Sequence, residues 1–468
     1  MREAVRALTT SIVVGVAVTV LGAGGAGATA RDASPAAGGA ALCSSRTASR
    51  IRQPTTRHLE AAGLQRLPLA PRRKRVDLVA PPFSNSTRVT NPLFPISKLH
   101  SAILNGRVSG KAFRVETTLL PDTRIIEWSR GRCVRTLVSQ YVAYLDGRIA
   151  EVALDFYAQA DDGSVWYFGE DVYNYEAGVV RDTSGTWLAG KEGPAAMIMP
   201  AAPRVGDVNR SENIPGLVFE EVAVKAIAKT VEGPSGPVMG ALVGRELHDD
   251  GSSSDKVFAP GYGEFFTAHE GDVEALALAV PTASLPGPLP SELTRRLSGA
   301  NAVFAAAAGR RWKAASATVR RMMTAWDSHR ARGVPPRLVA PTTSALESLS
   351  RAVASRDAER ARHAALDVAQ ASLDLELRYR SPAAIDRACF DLWLLRVLVD
   401  ASTRNLSAVN GDVATLEWIR DRIAHTLDSI AVTRIDTHLE RVRDQVVEND
   451  LAAAARTASA LRKVLAAA

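Results

Sequence analysis

The chain has 468 residues, a formal net charge of +7 and an isoelectric point near 9.4. Its 46% hydrophobic and 23% charged residues are the composition of a folded protein and exclude a mostly disordered chain. Three cysteines exclude a disulfide-built scaffold, and the length points to two or three domains.

Arg2 and Arg6 precede an apolar run over 12–23, and Ala28-Thr29-Ala30 supplies a small-x-small cleavage pattern. This layout predicts a secretory signal over residues 1–30, cut after Ala30. A membrane span needs about 20 apolar residues, and Gly22, Gly24 and Gly25 thin this shorter run. An uncleaved membrane anchor is therefore the minor alternative. Leu42 before Cys43 is a poor neighbour for lipid attachment.

Residues 31–90 hold eleven basic side chains against Asp32, Glu60 and Asp77, a balance of +8, which leaves residues 91–468 at −2. The segment is rich in Ala, Ser, Pro and Arg without sustained periodicity and reads as a basic, disordered arm. Its densest cluster, Arg72-Arg73-Lys74-Arg75, would attach to anionic lipid or wall polymer. Nucleic acid is not expected as a partner, because no aromatics are interleaved with the basic residues.

Residues 91–280 are rich in Gly, Pro, aromatics and β-branched residues. Residues 292–468 hold four glycines and four prolines and are dense in Ala, Leu and Arg. The expected fold is α+β in separate domains: an antiparallel β meander or open barrel, a Pro-rich hinge over 281–291, then an all-α helical bundle. Strand-like runs cover 136–144, 149–159, 165–170, 172–175 and 179–180. Asp146-Gly147 and Asp162-Gly163 between them are hairpin signals.

Asp155-Phe156-Tyr157-Ala158-Gln159 and the run Asp162-Gly163-Ser164-Val165-Trp166-Tyr167-Phe168-Gly169-Glu170-Asp171 are distinctive. So are Tyr175-Glu176-Ala177-Gly178, Gly185-Thr186-Trp187-Leu188-Ala189-Gly190, Met199-Pro200-Ala201 and Gly206-Asp207. They resemble a family of exported bacterial proteins of unknown function with a D-[WF]-Y-A-Q…D-G-x-V-W-Y-F-G-E signature. Asn91-Pro92-Leu93-Phe94-Pro95 resembles the family's first strand and Ala259-Pro260-Gly261-Tyr262-Gly263 its closing turn. The resemblance covers about residues 90–270 and implies export and a β-rich fold, with no activity attached. The pattern departs after Gly206-Asp207, where the family continues with an aromatic and Arg-Gln-Glu-Tyr and this chain reads Val208-Asn209-Arg210-Ser211-Glu212-Asn213.

Asp155, Glu170, Asp171 and Glu176 form a candidate carboxylate cluster, suited to acid/base work or Ca²⁺. Trp166, Tyr167 and Trp187 are a candidate stacking surface for a sugar, or an aromatic sheet core. The ligand-binding candidates are Trp166, Tyr167, Glu170, Glu176 and Trp187.

In the second half, 302–332 reads as a long helix broken near Gly309. Thr343 or Ser344 caps a second and Asp357 a third, and Ser381-Pro382 starts a fourth. Asn410-Gly411-Asp412 separates a fifth, and two more fill 430–468. His363, Asp367, Gln370, Asp374 and Arg378 share one face of the third helix, and Asp421, His425 and Asp428 share a face further on. Two facing helices with a His and carboxylates each could build a divalent or transition-metal site, although the Glu-x-x-His pattern is missing. Solvated i,i+4 pairs or a buried polar network are the competing readings.

His-Glu-x-x-His, Gly-x-Ser-x-Gly, a phosphate-binding Gly-Lys-Ser/Thr loop and Cys-x-x-Cys are all missing from the sequence. A Cys133–Cys389 bridge would staple the two domains, although three cysteines leave one over. The sequence points first to an exported, non-catalytic binding or envelope-associated protein without a cofactor. The alternatives are a metal-handling protein using the helical stripe and a wall-polysaccharide hydrolase using the Glu170 region.

Overall fold

Asp146-Gly147 turns the chain between two long strands, with φ of 48° and 73° at the turn residues, as a two-residue hairpin requires. The hairpin belongs to a 14-stranded antiparallel sheet in the computed structural model, which describes residues 46–468. A two-stranded pair, β1 (Ser49–Arg50) and β2 (Val79–Ala80), precedes it. The sheet is built from β3 (Ser101–Val108), β4 (Lys111–Ser129), β5 (Arg132–Leu145), β6 (Arg148–Gln159), β7 (Val165–Glu176), β8 (Val179–Asp182), β9 (Trp187–Leu188), β10 (Ala196–Met199), β11 (Val208–Ile214), β12 (Val218–Gly233), β13 (Gly236–His248), β14 (Ser253–Ala259), β15 (Gly263–His269) and β16 (Asp272–Val280).

Their spatial order is β10-β7-β6-β5-β4-β3-β16-β15-β14-β13-β12-β11, with β8 and β9 also on β7. Two meanders thus meet where β3 pairs with β16. The ladder stays open between β10 and β11, where the side-chain Nδ2 of Asn209 donates to the carbonyl of Met197 at 2.8 Å.

Residues 46–90 correct one expectation. They are folded onto the sheet, not a disordered arm. Ile51, Leu64, Ala80, Phe83 and Val89 are buried, and Phe83 packs edge-on against Trp128, Trp166 and Phe168. Arg75 is buried and donates to Asp77 at 2.6 Å, while Arg72, Arg73 and Lys74 stay exposed. The apolar residues that anchor this segment are irregularly spaced and bury themselves against the sheet, so local periodicity misses them. The signal segment 1–30 and Cys43 lie outside the described residues.

A short helix, α1 (Thr56–Ala61), lies in that segment. Eight helices follow the sheet: α2 (Ser291–Ala308), α3 (Trp312–Arg330), α4 (Pro336–Ala354), α5 (Ala358–Glu376), α6 (Pro382–Ser402), α7 (Leu406–Ile423), α8 (Ser429–Val447) and α9 (Leu451–Ala467). No described helix is long and apolar enough to cross a membrane. The side chains of Asp357 and Ser381 cap α5 and α6 as read from the sequence, and Pro382 sits in the first turn of α6.

Three helix boundaries differ from expectation. The break near Gly309 is real, but α2 begins at Ser291. Helix α4 starts at Pro336 and carries Pro341 inside it. Proline has no N–H to give the carbonyl four residues back, and that carbonyl, on Arg337, accepts instead from the Asn105 side chain of the sheet at 3.3 Å. Helix α7 runs unbroken through Gly411, because that residue meets the β7–β8 turn. A Cβ on Gly178 would lie 2.3 Å from the Gly411 nitrogen and 2.4 Å from the Ser407 carbonyl, so only glycine allows the approach.

One apolar cluster runs from the sheet (Leu104, Val115, Val142, Val152) into the helices (Leu346, Phe390, Leu394, Val413). Arginines tie its margins. Arg114 on β4 donates to both oxygens of Asp374 at 3.1 and 2.7 Å, and Arg148 on β6 reaches Asp400 at 2.8 Å and Asp412 at 3.1 Å. Arg422 on α7, 3% exposed, donates to Glu116 and Gln140 of the sheet and lies 3.5 Å from Asp386. Burial opposes ionisation of Glu116, but the Arg114 and Arg422 guanidiniums outweigh it and hold its pKa down to about 2. Replacing Arg422 with Ala is expected to cost about 3–5 kcal/mol, because it strands buried carboxylates. Urea unfolding checks this, and a loss below about 1 kcal/mol would mean the pair behaves like a surface one.

Candidate functional site

Side chains alternate across a strand, so each strand of the sheet sends every second residue to its inner face. There they enclose a cavity of about 120 Å³. Its apolar part comes from Phe94, Ile96, Leu99, Leu104, Leu119 and Ile198. Its polar part comes from both meanders: Tyr141, Asp155, Tyr157 and Tyr167 from β5–β7, and Ser211, Glu212, Glu220, Lys256, Glu264 and Glu274 from β11–β16.

A bulge sets the β7 contribution. Asp155 pairs with Glu170 and Tyr157 with Tyr167, so β7 spends three steps where β6 spends two. The extra residue puts Tyr167 and Glu170 on the same face. It falls at Gly169, with φ of 126°, where a Cβ would lie 2.3 Å from the Trp187 carbonyl. Tyr167 stacks on Tyr157 at 4.7 Å and donates its hydroxyl to Asp155 at 2.7 Å. Trp187 meets Tyr167 edge-on at 5.3 Å and donates Nε1 to Glu212 at 3.2 Å.

Acid predominates on this inner face. The Lys256 ammonium is 3.3 Å from both oxygens of Glu246 and 3.4 Å from Glu264. His248 Nε2 lies 2.7 Å from the Ser254 hydroxyl, and Nδ1 lies 3.6 Å from Glu220. Burial, followed by neighbouring carboxylates, pushes the acids up: Glu151 and Glu274 to about 8, Asp155 and Glu246 to about 7. Glu170 is raised well above the ordinary range by burial and then by the charge of Glu212, against which its carboxyl lies.

The structure separates most of the residues singled out in the sequence. Among the five ligand-binding candidates, Tyr167 alone lines the cavity. Trp166 and Trp187 are fully buried in the aromatic cluster behind it, so they offer no exposed stacking surface. Glu170 is fully buried beside Glu212, out of reach of a wall polymer. Glu176 lies apart and exposed, 3.9 Å from Arg181, and Asp171 pairs with Arg124 at 2.7 Å.

The helical stripe is divided among other partners. His363 Nε2 is 2.7 Å from Asp400, Asp367 accepts from Arg396 at 2.7 Å, and Asp374 is held by Arg114. Asp421 lies 3.1 Å from Arg420, Asp428 caps α8, and His425 sits in a one-turn 3₁₀ helix, Ala424–Thr426. Among the described residues, the one group of three potential metal ligands that converges is Glu220, Glu246 and His248. None of the six stripe residues belongs to it, and Lys256 already places a positive charge against Glu246. Cys133 is disulfide-bonded and Cys389 is a buried free thiol, so no bridge joins the two across the sheet–helix boundary.

The inner residues of β11–β16 escaped the sequence reading, including Ser211 and Glu212 in the segment where the resemblance departs. The available signal was ionisable side chains at alternate positions within strands, as in Glu246-Leu247-His248. Compared with known proteins, the chain matches no family model and no curated protein.

The raised acids make stability depend on pH. From about 4.5, where these glutamates titrate when exposed, to about 8, the folded chain holds protons that the unfolded chain has released. Their contribution to stability is therefore lost as pH rises through that window. Glu151→Gln and Glu274→Gln, which mimic the protonated forms, are expected to flatten the fall. Urea midpoints measured across the window check this, and an unchanged slope in both variants would contradict it.

Proposed function

We propose that the chain is an exported, non-catalytic binding protein that holds one small, partly apolar molecule inside its sheet. The observation that carries this reading is the cavity itself, with an apolar wall opposite convergent hydrogen-bonding groups, the character of ligand sites in general. A cavity of about 150 Å³ accepts a benzene ring, so a space of about 120 Å³ suits a ligand of roughly that size or the end of a longer one. The signal pattern of residues 1–30 supports export, and so does the disulfide at Cys133, since such bonds persist in oxidising compartments.

Small amphipathic molecules of about this size are expected to raise the Tm of the purified protein. Filling the space with Ala102→Phe or Leu104→Trp is expected to abolish the shift while the circular dichroism spectrum stays unchanged. A wild-type Tm that no such molecule moves would overturn the proposal.

A further inference from the structure

Building on that binding role, we infer that the cavity selects a small organic cation: an ammonium carried on a short apolar body. Five carboxyl groups line the space, from Asp155, Glu212, Glu220, Glu264 and Glu274, against the ammonium of Lys256. That ammonium is already engaged by Glu246 and Glu264. Oε2 of Glu274 accepts no hydrogen bond, although the residue is only 2% exposed. Buried acceptors of this kind are costly unless a donor reaches them, and an ammonium brings three donors.

The rest of the lining fits the same ligand. Leu99, Leu104 and Leu119 receive an apolar body, which a bare divalent ion does not have. An anion would face five carboxyl groups. When the cavity holds no cation, protons offset the charge of Asp155 and Glu274, whose pKa values are raised to about 7 and about 8. An entering ammonium takes over that role, so binding releases protons and tightens as pH rises towards 8.

Titration calorimetry of the purified protein with n-butylamine, 1-butanol and butyrate tests the inference, because the three share shape and differ in charge. The amine is expected to bind at least about tenfold more tightly than the alcohol, a gap of about 1.4 kcal/mol, with butyrate not binding. Heats in two buffers of different ionisation enthalpy are expected to report proton release for the amine alone. Glu274→Gln is expected to weaken the amine about tenfold and leave the alcohol unchanged. Glu212→Gln gives the same readout should the first variant fail to fold. Equal affinity for amine and alcohol, or a preference for butyrate, would overturn the cation selectivity and leave the binding role standing. No binding by any of the three would overturn both.

Discussion

The pairing of β3 with β16 is the constraint on which the rest depends. These are the first and last strands of the large sheet, and their register joins two meanders that otherwise share no backbone ladder. The join brings Tyr141, Asp155 and Tyr167 from one meander opposite Glu212, Lys256 and Glu274 from the other. It also delivers the chain at Val280 to the edge of the helical half. Cavity and sheet–helix packing are thus two results of one non-local contact, which is formed only after a long loop has closed.

The two faces of the sheet handle buried acid in opposite ways. On the face towards the helices, carboxylates meet arginines. Glu116 sits between Arg114 and Arg422, and its pKa falls to about 2. On the inner face, Glu151 and Glu274 have acidic neighbours, and their pKa values rise to about 8. Burial acts in the same direction on all three. The sign of the neighbouring charge decides the outcome. The first face is therefore a permanent ionic joint, and the second is a set of proton-loaded acceptors.

What could be read from the sequence follows from how local each cause is. Asp146-Gly147, Asp357 and Ser381-Pro382 act within a few residues, and each was legible. So were the division into a β-rich and a helical half and the aromatic character of β7. The inner acids were not, because a glutamate's place on a strand means little until the strand opposite is known. The bulge at Gly169 also shifts the alternation on which such a reading depends. Gly411 read as a helix breaker because its partner, Gly178, is far away in the chain. The helical stripe looked like a metal site because its arginine partners Arg114 and Arg396 lie on other elements.

The proton-loaded inner face has a further consequence for the molecule's charge. The formal value of +7 treats every Asp and Glu as ionised. Glu151 and Glu274, with pKa values of about 8, keep most of their protons at neutral pH. The native protein is therefore more positive than its composition implies, and the difference disappears on unfolding. Its electrophoretic mobility is a property of the fold as well as of the sequence.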